Sequence, residues 1–222
     1  MLPKLSATEA RVIGSLIEKE MTTPEYYPLT LNALVNACNQ KSNREPVMNL
    51  TEKQVQDAIE ELKEKRLAWQ MNLAGSRVPK YEHNLRSLFP LDEKEMAIIA
   101  VLMLRGEQTS GELRTRAERM ASFSSTDEVE QTIKALNDRE EGPFVAQIPR
   151  RAGQKENRFV ELFSVASEPD QSDENLTEKQ SSEPQQLSLS ERVAQLEGEV
   201  DSLRSELGEL KILFSDFRKQ FE

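Results

Sequence analysis

The stretch TEKQVQDAIEELKEKRLAWQMNLAGSRVPKYEH, residues 51–83, decides the fold, because one continuous run contains a helix, a turn and two strands. It opens with Thr51-Glu52-Lys53-Gln54, the capping-box pattern that starts a helix. The apolar residues that follow have helical spacing and predict the buried stripe of that helix: Val55, Ile59 and Leu62. An alternating run then predicts a strand: Leu67, Trp69, Met71 and Leu73. Residues 74–76 predict a turn, and residues 78–83 predict a return strand.

Two more helices precede this stretch. Ser6-Ala7-Thr8-Glu9 is another capping box, followed by an apolar face that comprises Val12, Ile13, Leu16 and Ile17. A loop with two prolines covers residues 22–28, after which Thr30 caps a second helix that ends at Cys38. The order helix, helix, helix, strand, strand over residues 1–89 predicts a winged helix-turn-helix domain.

The same order recurs over residues 90–166. Thr109 repeats the cap at Thr30 with an offset of 79 residues, and the stripe of the third helix recurs 74 residues on, at Val129, Ile133 and Leu136. The offset falls because the first copy has two longer loops, 22–29 and 39–50. The sequence therefore predicts a mainly α, α+β chain with two tandem winged helix-turn-helix domains.

The tail is predicted to be a linker and a coiled coil. Residues 167–188 are polar and acidic, which is typical of disorder. From residue 189 the apolar residues alternate at gaps of four and three, with Val193, Val200, Leu207, Phe214 and Phe221 at a, and Leu189, Leu196, Leu203, Leu210 and Phe217 at d. Valine at a with leucine at d favours a parallel dimer. Three predicted g–e pairs have opposite charges: Arg192–Glu197, Glu199–Arg204 and Glu206–Lys211. The alternatives are a single amphipathic helix that packs on the winged domains, or a partner that binds the terminal phenylalanines.

Charge is distributed unevenly. The net charge is −10, and residues 167–222 contribute −8 of it, with 6 Lys and Arg against 14 Asp and Glu. Residues 1–89 are nearly neutral, with 12 against 11, so they lack the strong positive charge of a tight DNA binder. No membrane-spanning apolar run and no signal-peptide pattern is found, and a cytoplasmic location is expected.

The composition also argues against an enzyme, a metal site and a cofactor. There is one His and one Cys, and no phosphate-binding glycine loop or nucleophile elbow is present. Cys38 fits the buried stripe of the second helix, and His83 at the end of the return strand is expected to be a surface or wing residue.

Several long motifs carry a family resemblance. ACNQKSNREPVMNL at residues 37–50 resembles the hallmark of the bacterial YceH-type family, and further similarity includes EARVI at 9–13, TTPE at 22–25, LRG at 104–106, GELR at 111–114 and REEGPFV at 139–145. The resemblance covers residues 5 to about 165. It implies a tandem winged-helix fold, and it leaves the activity open because the family is uncharacterised.

Two functions remain as hypotheses. The first is a homodimeric DNA-binding protein, with a role in transcription regulation, that contacts phosphates through basic residues outside the third helices: Lys41, Asn43, Arg44, Arg77, Lys80, Arg114, Arg116, Arg119, Arg150, Arg151, Lys155 and Arg158. Both third helices are acidic and are expected to repel DNA. The second is a scaffold that binds a protein through loop 39–49, although this loop could instead be purely structural.

Overall fold

The structure is a computed structural model that describes residues 2–72, 78–148 and 156–164. These residues belong to one compact unit. It is an α+β protein of helices and two small antiparallel sheets, so the predicted fold class is confirmed at that level. The predicted linker 167–188 and coiled coil 189–222 lie outside the described residues.

The first repeat begins with α1 (Ala7–Thr22) and a 3₁₀ turn (Pro24–Tyr26). It continues with β1 (Leu29–Thr30), α2 (Leu31–Cys38), α3 (Glu52–Glu64), β2 (Ala68–Met71) and β3 (Lys80–His83). A short helix, α4 (Leu85–Leu88), leads to the second repeat.

The second repeat has the same order. It comprises α5 (Glu93–Arg105), β4 (Gln108–Thr109), α6 (Ser110–Ala117), α7 (Thr126–Asn137), β5 (Val145–Ile148) and β6 (Arg158–Glu161). Each repeat forms a three-stranded sheet with the return strand in the centre, β1-β3-β2 and β4-β6-β5. The two-residue strands β1 and β4 are additional to the predicted elements, since two residues are too short to show an alternating pattern.

The predicted helix starts are confirmed by their caps. Ser6, Thr30, Thr51, Thr109 and Ser125 each accept a hydrogen bond from the backbone N–H three residues on. These caps satisfy N–H groups that have no partner inside the helix. They explain why short polar motifs located the helices well.

A buried carboxylate occupies the same capping position in both repeats. Glu9 accepts a hydrogen bond from Lys65 Nζ (2.5 Å), and Glu95 accepts two from Arg139, at 3.0 and 2.7 Å. Lys65 and Arg139 are 74 residues apart, which is the offset of the third helices. Each pair therefore ties the start of its first helix to the end of its third helix.

Helices α1 and α5 pack against each other in the centre of the unit. Ten consecutive residues of each, 9–18 and 95–104, are buried. Gly14 allows a close approach, since a Cβ built there would lie 3.0 Å from Leu104 Cγ and 3.1 Å from Met103 Cβ. The two repeats consequently share one hydrophobic core.

Candidate nucleic-acid interface

The third helices expose acidic faces, as the sequence predicts. On α3 the exposed charged residues are Glu52, Lys53, Asp57, Glu60, Glu61 and Glu64. On α7 they are Asp127, Glu130 and Lys134. A protein gains affinity for the phosphate backbone of DNA from cationic side chains, so neither helix presents a favourable surface to a DNA groove.

Loop 39–50 contains three of the predicted contact residues, and the structure separates them. Lys41 is exposed. Asn43 adopts a positive φ of 59°, and its side-chain oxygen accepts a hydrogen bond from Arg105 Nη1 (2.9 Å). Arg44 is only 5% exposed. The prediction that Arg44 contacts phosphate is therefore wrong, because solvent, and hence DNA, does not reach it.

The Arg44 guanidinium is used within the protein. It donates to the Ala37 carbonyl from Nε (3.1 Å) and Nη2 (2.8 Å), and to the Asn43 carbonyl from Nη1 (2.8 Å). Nη2 also lies 2.7 Å from Glu18 Oε2. Burial alone raises the pKa of Glu18, but the hydrogen bond and charge of Arg44 outweigh it and hold that pKa below its usual value.

Glu18 also joins the two repeats. Its second oxygen, Oε1, accepts a hydrogen bond from Arg119 Nη2 of the second repeat (2.9 Å). The Glu18 side chain is 3% exposed, whereas that of Arg119 is 57% exposed. Arg119 is thus at the surface, but it already has a carboxylate partner there.

The two basic residues of α6 also have partners. Arg114 is exposed and donates from Nε to the Phe123 carbonyl (3.1 Å). Arg116 donates to the side chain of Gln108 and lies 3.2 Å from Glu112 Oε1. Both charges are therefore partly used to hold α6 in place.

The return strands β3 and β6 carry basic residues at equivalent positions. Lys80 is the first residue of β3 and pairs with Met71, and Arg158 is the first residue of β6 and pairs with Ile148. Arg158 Nη1 donates to the Glu107 carbonyl (2.7 Å) and lies 3.4 Å from Glu112 Oε2. The other predicted wing residues, Arg77, Arg150, Arg151 and Lys155, lie outside the described residues.

The remainder of loop 39–50 is fixed by its own polar groups. The Asn39 amide forms two hydrogen bonds of 2.7 Å with the Leu50 backbone, one to its carbonyl and one from its N–H. Arg11 of α1 donates to the carbonyls of Cys38 (3.1 Å) and Pro46 (2.6 Å). The Glu45 N–H donates to the Leu104 carbonyl of the second repeat (2.8 Å). Loop 39–50 therefore has a clear structural role between the repeats. Val47 on this loop is 56% exposed.

His83 is the last residue of the return strand β3, as predicted, but it is buried rather than at the surface, with 7% exposure. Its Nδ1 accepts a hydrogen bond from the Leu85 N–H (3.3 Å), and its Nε2 lies 3.0 Å from Glu20 Oε2. The Tyr27 hydroxyl accepts a hydrogen bond from the His83 N–H (2.8 Å). Hydrogen bonding to His83 is the main reason that the pKa of Glu20 is lowered. This group of hydrogen bonds joins α1 to β3.

Cys38 is buried, as predicted, and burial raises its pKa to about 11. A thiol in this state is a poor nucleophile at neutral pH. Among the described residues no group of three or more His, Cys, Asp or Glu is placed to hold a metal ion. In that same part of the chain, no helix has the length and hydropathy needed to cross a bilayer.

Sequence reasoning does not identify three residues that form buried or inter-repeat hydrogen bonds: Arg11, Glu18 and Arg105. All three are charged residues on helices, which normally indicates a solvated face. Arg11 and Glu18 are 1% and 2% exposed. The only local signal of their burial was their position in helices, and the apolar faces of those helices already had the usual width.

Comparisons with known proteins agree with the resemblance seen in the sequence. Residues 5–154 match the family model described as a protein of unknown function, DUF480. A "UPF0502 protein" of Geobacter sulfurreducens is 50% identical over 219 residues, which cover 98% of each chain. A "UPF0502 protein" of Geotalea uraniireducens is 49% identical with the same coverage, and one of Vibrio parahaemolyticus is 47% identical over 95% of this chain and 96% of its own.

Proposed function

The chain belongs to the DUF480 family, and from that premise we propose that it is a dimeric tandem winged-helix protein that binds the backbone of double-stranded DNA through its wings. The observation that carries the proposal is the arrangement of each repeat. Each repeat has the order helix, short strand, two helices and β-hairpin, and its three strands form an antiparallel sheet with the return strand in the centre. This is the arrangement of winged helix-turn-helix domains, many of which bind DNA, and the step from fold to function is an analogy.

The charge pattern favours the wings over the third helices as the contact. Both third helices are acidic on their exposed faces. The return strands instead start at equivalent basic residues, Lys80 and Arg158, and in the sequence a second equivalent pair, Arg77 and Lys155, precedes them by three residues. Phosphate contacts of this type position a protein on DNA with little reading of bases.

A C-terminal coiled coil would supply the dimer. The heptad pattern from residue 189 predicts parallel pairing, so that each dimer would present four wings. Sedimentation equilibrium of the full chain is expected to give twice the mass of one chain, and Leu196→Asp with Leu203→Asp is expected to give a monomer. An unchanged mass in that variant would remove the coiled coil from the proposal.

The DNA-binding test is electrophoretic mobility of a random-sequence duplex with the full chain at low salt. The wild-type protein should retard the duplex, with an affinity that falls steeply as salt rises. Arg150→Ala with Arg151→Ala should reduce the slope of log K against log salt by about two phosphate contacts. Lys53→Ala is the matched control, since it removes an exposed cation from α3. Wing-led binding would be overturned if the duplex is not retarded, or if Lys53→Ala reduces the salt slope as much as the double arginine variant.

A second candidate, a protein-binding scaffold, is favoured by one observation. Val47 is 56% exposed on a loop that Asn39 and Arg11 hold in a fixed shape. Exposed apolar residues on well-fixed loops are common in protein interfaces. Pull-down with Val47→Asp should lose a partner that the wild-type chain retains, and retention of every partner would count against this function.

A further inference from the structure

The hairpin of the first repeat has an outer face made of four side chains. Buried and half-buried residues alternate along β3, and its two half-buried residues lie on the face opposite to the buried ones. The antiparallel register places Trp69 of β2 beside Glu82, and Met71 of β2 beside Lys80. Trp69 is 42% exposed, whereas the other three residues are half-buried. We call these four residues the Trp69 face.

The second repeat uses the equivalent face differently. By strand register, Ala146 takes the position of Trp69, and Val160 takes the position of Glu82. Val160 lines a cleft together with Ala7 of the first repeat, so this face is partly turned to the rest of the chain. The first repeat instead presents a large aromatic ring to solvent. Tryptophan is enriched in the centre of protein interfaces, where it often contributes much of the binding energy.

The Trp69 face is complementary to a second copy of itself. In an isologous contact, a two-fold axis relates identical surfaces of two chains. An axis between the two faces, perpendicular to the strands and level with Tyr81, brings Lys80 opposite the partner's Glu82. The same axis brings Trp69 opposite the partner's Met71. Both contacts are favourable, because the charges are opposite and because a thioether sulfur packs well against an aromatic ring.

We propose that the Trp69 face binds the Trp69 face of a second copy of this chain. Its one cation and one anion leave no net charge, whereas a surface that binds phosphates needs an excess of cations. In this arrangement Lys80 pairs with the partner's Glu82, and the phosphate contacts of the first wing fall to Arg77.

The inference rests on the proposed dimer. Four side chains from each copy bury far less than the roughly 1,200 Å² of a stable interface. The contact therefore needs the coiled coil, which would hold two copies at an effective concentration of the order of millimolar.

The test uses the fluorescence of Trp69, which is the only tryptophan of the chain and thus reports on this face alone. Acrylamide, an uncharged quencher, is titrated into the full chain and into the coil variant, Leu196→Asp with Leu203→Asp. The quenching constant of the wild type should be about twofold lower than that of the coil variant, because a partner then covers the part of Trp69 that is exposed in one chain.

Charge reversal identifies the partner surface. Lys80→Glu and Glu82→Lys should each raise the quenching of the dimer to that of the coil variant, because like charges then face each other across the axis. The double variant should restore the protection of Trp69, since the same pair forms with its charges exchanged. In the coil variant the same reversals should leave quenching unchanged, which separates loss of the contact from a local effect. Lys53→Glu, a reversal at an exposed residue of α3, is the matched control and should behave like wild type.

Sedimentation equilibrium on each sample separates this inference from the coiled coil. A chain of dimer mass whose Trp69 is quenched as in the coil variant overturns the inference and leaves the coiled coil standing, whereas a full chain of monomer mass overturns both. If the coil variant keeps the dimer mass, the coiled coil is removed and the reversal series still decides the inference. The inference is also overturned if the double variant does not restore protection, or if Trp69 is protected only after duplex DNA is added.

Discussion

Replacing Glu18 with Gln should destabilise the chain far more than an ordinary helix substitution. The carboxylate is 3% exposed, and it is the only carboxylate that pairs with the buried Arg44 guanidinium within the described residues, at 2.7 Å. Removing one partner of a buried ion pair costs about 3–5 kcal/mol, since the other charge is left uncompensated. Gln keeps the shape and one acceptor oxygen, so we expect a loss near the lower limit, about 3 kcal/mol.

The control is Arg119→Ala, which breaks the other ion pair of the same carboxylate. The Arg119 side chain is 57% exposed, so water can solvate the charge that remains. Exposed pairs contribute about 0.2–1 kcal/mol. Urea unfolding measures both variants, and with a slope of about 2 kcal/mol/M, Glu18→Gln should lower the midpoint by about 1.5 M. A loss below about 1 kcal/mol for Glu18→Gln, or an equal loss for Arg119→Ala, would refute a dominant Glu18–Arg44 pair.

The same pair predicts a pH dependence. The pKa of Glu18 is lower in the folded chain than in the unfolded chain. Its contribution to stability is therefore fully present above the unfolded pKa, near pH 4.3, and is lost as pH falls through the folded pKa. The stability difference between wild type and Glu18→Gln should shrink over that acidic range. A difference that stays constant down to pH 2 would contradict the assigned ion pair.

Three further predictions follow from other parts of the core. Gly14→Leu should cost about 1–3 kcal/mol in urea unfolding by overpacking the contact with Leu104, and an unchanged midpoint would contradict that close approach. Tyr27→Phe should cost about 1–3 kcal/mol, because the His83 N–H loses its acceptor, and thermal unfolding that matches wild type would count against that bond. The raised pKa of Cys38, about 11, means that the unfolded thiol ionises first as pH rises from about 9, so wild-type stability should fall between these values and Cys38→Ala should fall less. Similar alkaline profiles for the two proteins would show that the thiol is not responsible.

The sequence predicted well those features that depend on neighbouring residues. Helix starts were found because the capping hydroxyl of Thr51 or Ser125 and the backbone N–H that donates to it lie three residues apart. The strand β2 was located by its alternating residues, but they do not form one buried face, since Trp69 is 42% exposed and Ala68 is buried. Cys38 was placed correctly because its position on the stripe of α2 decides its burial.

Burial that depends on the packing of one repeat against the other was not predictable in this way. The apolar stripe of α1 indicates one buried face, and nothing local shows that α5 covers another. Arg11 and Glu18 consequently resemble solvated helix residues, as does Arg105, which bonds to Asn43 across 62 residues. Arg44 was assigned to DNA for the same reason, since a basic residue in a polar loop is usually exposed.

The ion pairs of the protein fall into two sets, those that form within each repeat and those that join the two repeats. Glu9–Lys65 and Glu95–Arg139 occupy equivalent positions, so each repeat holds its first helix to its third helix in the same way. Glu18, Arg44 and Arg119 form a different set, because the carboxylate of the first repeat binds an arginine of each. Arg44 lies in the loop that is longer in the first repeat. This loop is one of the two that distinguish the first repeat from the second, and its buried Arg44 is bonded inside the protein rather than free for a contact at the surface.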